Sequence, residues 1–116
     1  MSDQLEKLFH EPNRLNLMAE LCGADGALSF RELKESCELT DGNLSRHLAT
    51  LEQAGAVNIS KTFSDNKPLT TAKPTQKGRR QFLAYLDSLE SVLEKAQSKV
   101  SERGSAKGKR GQLKPA

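Results

Sequence analysis

The amino-acid sequence predicts a mainly α fold with one small β-hairpin, on three observations. Apolar residues recur at spacings of three and four over residues 5–54 and again over 76–101, the period of helices with one buried face. Between these stretches Val57, Ile59 and Phe63 occupy alternate positions, as a half-buried strand requires. Each helical stretch is bounded by a residue type that starts or stops a helix.

Leu5, Leu8 and Phe9 open the first helix, whose pattern breaks at His10-Glu11-Pro12. Pro12 suits the first turn of a second helix, where a missing N–H costs nothing. Leu15, Leu17, Met18 and Leu21 form the broad apolar face of that helix, and Gly23 ends it. Ser29, with Glu32 three residues later, makes a capping box for a short helix that runs to about Cys37 and buries Phe30 and Leu33. Thr40 or Asp41 caps the next helix, which carries Leu44, Leu48 and Leu51 on one side and stops at Ala54-Gly55. Val57, Ile59 and Phe63 then form a strand, Ser64-Asp65-Asn66-Lys67-Pro68 turns the chain, and residues 69–73 return. Thr75 caps a long helix over about residues 76–101. Residues 1–101 are thus expected to be one folded domain. Residues 102–116, rich in Gly, Ser, Lys and Arg, are expected to be a disordered basic tail.

A chain of 116 residues has room for one core, which excludes an enzyme with separate substrate and cofactor lobes. No run of about 18 apolar residues is present, so no membrane span is expected. Met1-Ser2-Asp3-Gln4 opens neither a basic nor an apolar leader, and the chain is placed in the cytoplasm. The net charge of +3 conceals a strong asymmetry. Residues 1–57 hold five Lys or Arg against ten Asp or Glu, residues 58–80 six against one, and residues 101–116 five against one. Positive charge concentrated in a middle segment and a tail favours an anionic partner such as nucleic acid.

Two helices joined by a tight turn at residues 37–40, the second followed by a basic hairpin, make a winged helix-turn-helix with a long C-terminal helix. The run Leu39-Thr40-Asp41-Gly42-Asn43-Leu44-Ser45-Arg46-His47-Leu48, continuing through Leu51-Glu52-Gln53-Ala54-Gly55-Ala56-Val57, resembles the recognition helix of small MarR-like and ArsR-like transcriptional regulators. Pro12-Asn13-Arg14-Leu15 is similar to their opening helix, and Thr75-Gln76-Lys77-Gly78 to the entry into their final one. The resemblance covers residues 5–95 and implies a DNA-binding fold and a homodimer.

The helix over residues 41–53 supports that role by its own geometry. With Leu44, Leu48 and Leu51 on the inner face, Gly42, Arg46, Ala49 and Gln53 fall outward and Asn43 and Thr50 flank them. Small residues at 42 and 49 permit close approach to DNA. Arg46 suits a bidentate contact to guanine, Asn43 suits adenine, and Ser45 or Thr50 suits phosphate. His47 lies beside the buried stripe and is expected to pack or cap rather than to bind a ligand. On the hairpin, Lys61, Lys67 and Lys73 are expected along the phosphates, with Lys67 at the tip. Lysines also protect exposed edge strands from aggregation, which is the blander account of the same residues. Lys77, Arg79 and Arg80 extend the charged surface. With one Tyr, four Phe and no Trp, base stacking on single strands is a poor alternative.

In the last helix Phe82, Leu86, Leu89, Leu93, Ala96 and Val100 follow heptad spacing. The stripe packs on the first helix, pairs with a second copy, or does both along its length. Leu86, Leu89, Leu93, Ala96 and Val100 are the expected dimer interface, and two recognition helices about 34 Å apart would read an inverted repeat. Catalysis finds no motif: no phosphate-binding glycine loop, nucleophile elbow or paired metal-ligand spacing occurs. Cys37 lies near the metal-sensing region of ArsR-like proteins, but the paired cysteines of that site are absent, so no metal or other cofactor is expected. A small-molecule effector is compatible with such a regulator, though no residue specifies one. The expected partner is double-stranded DNA, and the expected function is repression by a homodimer occupying a promoter. The alternative is a protein-interaction module using the same fold and C-terminal helix. Removal of residues 102–116 is expected to weaken salt-sensitive, non-specific DNA binding while leaving the preferred sequence unchanged, as read by selection of sites from random duplexes.

Overall fold

The computed structural model describes the backbone of residues 3–107 and the side chains of residues 7–103. Helices α1 (Asp3–His10) and α2 (Pro12–Gly23) precede a two-residue strand β1 (Leu28–Ser29) and helices α3 (Phe30–Cys37) and α4 (Asp41–Gln53). Strands β2 (Val57–Ser64) and β3 (Lys67–Pro74) form the hairpin, or wing, and α5 (Gln76–Lys107) follows. The chain divides into two compact units, one ending at Tyr85 and one beginning at Leu86. Helix α5 continues past Ser101 to Lys107. Residues 108–116, the rest of the expected basic tail, lie outside the described residues.

The caps read from the sequence form. The Ser29 hydroxyl accepts the Glu32 N–H at 3.0 Å and the Glu32 carboxylate accepts the Ser29 N–H at 2.8 Å, which satisfies two orphan donors at the start of α3. Glu11 and Pro12 open α2, with the Arg14 N–H donating to the Glu11 carboxylate at 2.9 Å. Thr40, rather than Asp41, caps α4 by accepting the Asn43 N–H. Helix α4 ends where Gly55 adopts φ of 79° and the Ala56 N–H reaches back to the Leu51 carbonyl at 2.9 Å, a left-handed stop that glycine takes without steric cost. Helix α3 ends in the same manner with Glu38 at φ of 55°.

The sheet has three antiparallel strands in the order β1-β3-β2, one more than the sequence predicts. Leu28 and Ser29 lie opposite Ala72 and Thr71, and two residues are too few for alternation to register as a strand. The wing turns through Asp65 and Asn66, both with positive φ, as a two-residue type I′ loop demands. Pairing runs from Val57 opposite Pro74 out to Ser64 opposite Lys67.

The core of the first unit holds Phe9, Leu17, Met18, Leu21, Leu33, Leu44, Leu48, Leu51, Val57 and Phe82, all buried. Phe9 meets Phe82 edge-on at 5.3 Å and Tyr85 at 5.8 Å, joining α1 to the start of α5 with geometry favoured by ring quadrupoles. Phe30 is half-buried rather than buried. Phe63 departs further from expectation, being 75% exposed. Its period marked the strand correctly, but every residue of 60–69 is exposed, so the outer wing has no layer to pack against.

Thr75 fastens the wing's base. Its N–H donates to the Ala56 carbonyl at 3.0 Å and its hydroxyl to the Gly55 carbonyl at 2.7 Å, while that hydroxyl accepts the Gly78 N–H at 2.8 Å. Gly78 thereby lies so close to β2 that an added Cβ would stand 2.0 Å from the Ala56 oxygen. Backbone atoms cannot yield as a flexible side chain can. Gly78→Ala should therefore cost about 3 kcal/mol or more, measured as a lowered urea midpoint, whereas Gly42→Ala, which meets open space, should stabilise slightly.

Candidate nucleic-acid interface

Helix α4 is held on three sides. Lys34 of α3 pairs with Asp41 at 2.9 Å, Leu44, Leu48 and Leu51 are buried, and His47 is buried against α2. The opposite side is open: Gly42, Asn43, Ser45, Arg46, Ala49 and Gln53 are exposed and Thr50 is half-buried.

Among these the structure brings Asn43 and Arg46 together. The Arg46 guanidinium donates from Nη2 to Asn43 Oδ1 at 2.7 Å. Thr50 stands one turn on, but its hydroxyl donates to the Arg46 carbonyl at 3.1 Å, which leaves the oxygen lone pairs free for a donor. Ser45 lies about 100° around the helix from Arg46 and is not gathered with the others.

Sequence reasoning underused Arg14, which organises the surroundings of His47. Its Nε donates to the Leu8 carbonyl at 2.8 Å and its Nη2 to the Lys7 carbonyl at 3.3 Å, both at the end of α1. Its Nη1 lies 3.2 Å from His47 Nδ1. Guanidinium has no acceptor, so Nδ1 accepts and the imidazole is neutral with its proton on Nε2. Glu11 stands near that nitrogen, 3.9 Å away. Burial holds His47 below its ordinary value; Glu11 opposes this, and Arg46 and Arg14 add to it. Burial alone would raise Glu11, but the Arg14 N–H, His47, the Asn13 backbone and the Arg14 charge together bring its carboxyl below the ordinary value. No periodicity marks Arg14, since its task is to satisfy two carbonyls of α1 and a ring nitrogen of α4.

Lys61, Lys67 and Lys73 are all exposed on the wing, but not on one face. Ile59, Lys61 and Phe63 share the face that buries Val57 and Ala72, with Lys61 opposite Thr70. Lys67 and Lys73 belong to the other face, opposite Ser64 and Asn58. Of the further cations, Arg79 donates to the Cys22 carbonyl at 2.9 Å near the end of α2, Lys77 lies beside Gly55 near the end of α4, and Arg80 is exposed. Arg79 thus completes a helix terminus, a favourable place for a cation. Burial pushes the Cys22 and Cys37 thiols up, against Arg79 and Ser36 respectively, which disfavours reactive thiolates. Among the described residues no cluster of three His, Cys, Asp or Glu could hold a metal, and no helix is long and apolar enough to cross a membrane.

In the second unit Leu86 and Leu89 are half-buried, and Leu93, Ala96 and Val100 are exposed. Val92 adds a further exposed apolar residue beside that seam.

The family model described as a winged helix DNA-binding domain matches residues 13–93, and the chain belongs to that family. An uncharacterized protein of Methanocaldococcus jannaschii, MJ0432, is 39% identical over 80 residues, 69% of this chain and 86% of that protein. The transcriptional regulator homologue of Pyrococcus horikoshii OT3 superposes with a TM-score of 0.73 at 28% identity, over 80% of this chain and 93% of that one. A MarR-family regulator structure from Enterococcus faecalis V583 gives 0.64 at 20% identity, over 90% and 94%. The homodimeric winged helix-turn-helix DNA-binding domain of Mb0332 from Mycobacterium bovis, a possible ArsR-family regulator, gives 0.61 at 15% identity, over 81% and 92%. The chain is thus a winged helix DNA-binding domain protein, and its fold is shared with these regulators.

The two lowered values give stability two acid-sensitive windows. The His47 contribution is complete above the ordinary imidazole value of 6.5 and is lost as pH falls from there through the lowered folded value, because the unfolded chain takes up the proton first. The Glu11 contribution is lost only below 4.5. Thermal midpoints should therefore fall between pH 7.5 and 5.5, and His47→Gln should flatten that upper slope while leaving the decline below pH 4.5.

Proposed function

We propose that the chain is a homodimeric, sequence-specific repressor that acts in the cytoplasm by occupying an inverted repeat in double-stranded DNA. The observation that carries this reading is the outward face of α4, where Arg46 and Asn43 stand between the small residues Gly42 and Ala49 with nothing of the first unit above them. Such a face admits close approach to base edges in the major groove. The exposed wing lysines, above all Lys67 beside the tight turn, supply cations for phosphate or the adjacent minor groove. Ser45, at the edge of α4, suits a phosphate rather than a base, and Thr50 suits a phosphate only if its hydroxyl leaves the Arg46 carbonyl.

Pairing of two copies through Leu86, Leu89, Leu93, Ala96 and Val100 would cover a seam that a single copy leaves partly exposed. The homodimeric state of Mb0332, which shares the fold, is in keeping with that arrangement. A small-molecule effector would act by changing the separation of the two recognition helices.

Selection from random duplexes at physiological salt should enrich an inverted repeat with half-sites about one turn apart. Arg46→Ala should lower affinity for the selected duplex about tenfold to hundredfold, from the loss of one bidentate base contact, and leave non-specific binding nearly unchanged. Retention without an enriched sequence, or equal binding by Arg46→Ala, would reject the reading.

A further inference from the structure

We infer that His47 is a proton-sensitive positioning residue for α4: the neutral imidazole holds this helix to Arg14, and uptake of one proton breaks that hold and lowers discrimination between a specific duplex and any other. The inference rests on the proposed DNA-binding role of α4. Its starting point is the place of the ring. His47 follows Arg46 directly in the chain, yet Arg46 is exposed and His47 is buried. A change on the inner side of α4 therefore lies one residue from its outward face.

The ring stands between opposite charges. Arg14 Nη1 lies 3.2 Å from Nδ1, and Glu11 Oε1 lies 3.9 Å from Nε2. Arg14 is not free to follow the ring, because its Nε and Nη2 donate to the Leu8 and Lys7 carbonyls at 2.8 and 3.3 Å. Its bond to Nδ1 thus ties α4 to the end of α1 as well as to α2. Arg46, on α4 itself, is the third charge that acts on the ring. The charged residues of the other elements packed on α4, Arg31, Glu32, Lys34 and Glu35 of α3 and Lys61 of β2, are all exposed. On α1, Lys7 and His10 are exposed, and His10 Nδ1 is engaged by the Tyr85 hydroxyl at 2.7 Å.

Protonation changes this arrangement at one atom. The neutral ring accepts at Nδ1 and carries its hydrogen on Nε2, whereas imidazolium donates at both nitrogens and accepts at neither. The added hydrogen would point at a guanidinium that can only donate, so the bond is lost and two cations face each other at 3.2 Å. Glu11 attracts the imidazolium from the other side. The ring therefore keeps its partner at the start of α2 while its link to Arg14 and the end of α1 opens. Burial disfavours the charged ring, Glu11 opposes that, and Arg46 and Arg14 add to it, so the hold is complete near neutral pH and is lost in acid.

The test uses the full chain, a duplex selected from a random library at about pH 7.5, and a scrambled duplex of the same length, with both affinities followed down to about pH 5.5. Their ratio should fall about tenfold. The scrambled duplex should be held at least as tightly in acid, since an added proton favours any polyanion. Glu11→Gln keeps an acceptor for the Arg14 N–H but removes the charge that favours imidazolium, and should move the fall to lower pH. His47→Asn places Oδ1 where Nδ1 was and takes up no proton, so its ratio should stay constant. A ratio independent of pH, a fall that Glu11→Gln leaves in place, or the same fall in His47→Asn overturns the proton-sensitive role and leaves the DNA-binding reading standing. Parallel loss of both affinities overturns it too, as the mark of the whole fold giving way. Should His47→Asn fail to fold, the direction of the Glu11→Gln shift decides alone. A library with no enriched sequence at about pH 7.5 overturns both readings.

Discussion

The placement of α4, the wing and the first turn of α5 depends on how closely three stretches of backbone meet at Ala56. Gly55 lets α4 stop, Ala56 turns the chain into β2, and Gly78 brings the first turn of α5 against the Ala56 carbonyl. Thr75 ties the three together through bonds to Gly55, Ala56 and Gly78. Dispersion and hydrogen bonding at such a junction act over short distances, so the tolerance for displacement is small. Besides the short pairing of β1 with β3, this base is what sets the direction of the wing.

A second junction orients α4 from the opposite side. Arg14 collects the last carbonyls of α1 and the Nδ1 atom of His47, exchanging the hydration of one cation for three directed bonds. A half-buried guanidinium of this kind stabilises only when its donors are well used. Here they reach two elements other than its own. The result is that α1, α2 and α4 share one polar centre within an otherwise apolar core.

Much of this architecture is legible in the sequence because its signals are local. Ser29 and Glu32 announce a helix start within four residues, Gly55 announces a stop, and the leucines at 44, 48 and 51 show which side of α4 is inward. What escaped reading depends on contacts between distant segments. Gly78 resembles any glycine early in a helix until the Ala56 oxygen is placed beside it. Arg79 resembles any surface cation until the Cys22 carbonyl appears. Phe63 obeys the strand period, yet period reports which face a residue shares and not whether another layer covers that face. In the candidate site the outward residues were evident from helical geometry. The bond from Arg46 to Asn43 Oδ1 was not, since two exposed polar residues three apart need not touch.

The tight loop at Asp65 and Asn66 also governs how such a hairpin can vary. Because the two strands are paired residue by residue up to that loop, a single added residue would shift one strand against the other and exchange its faces, carrying Lys73 toward the core side and Ala72 outward. An insertion of one residue in each strand near the tip would preserve every inner pair and extend the reach by about 3.3 Å. Wing length in this architecture is therefore stepped rather than continuous, and divergence can retune reach in matched pairs without disturbing the helices.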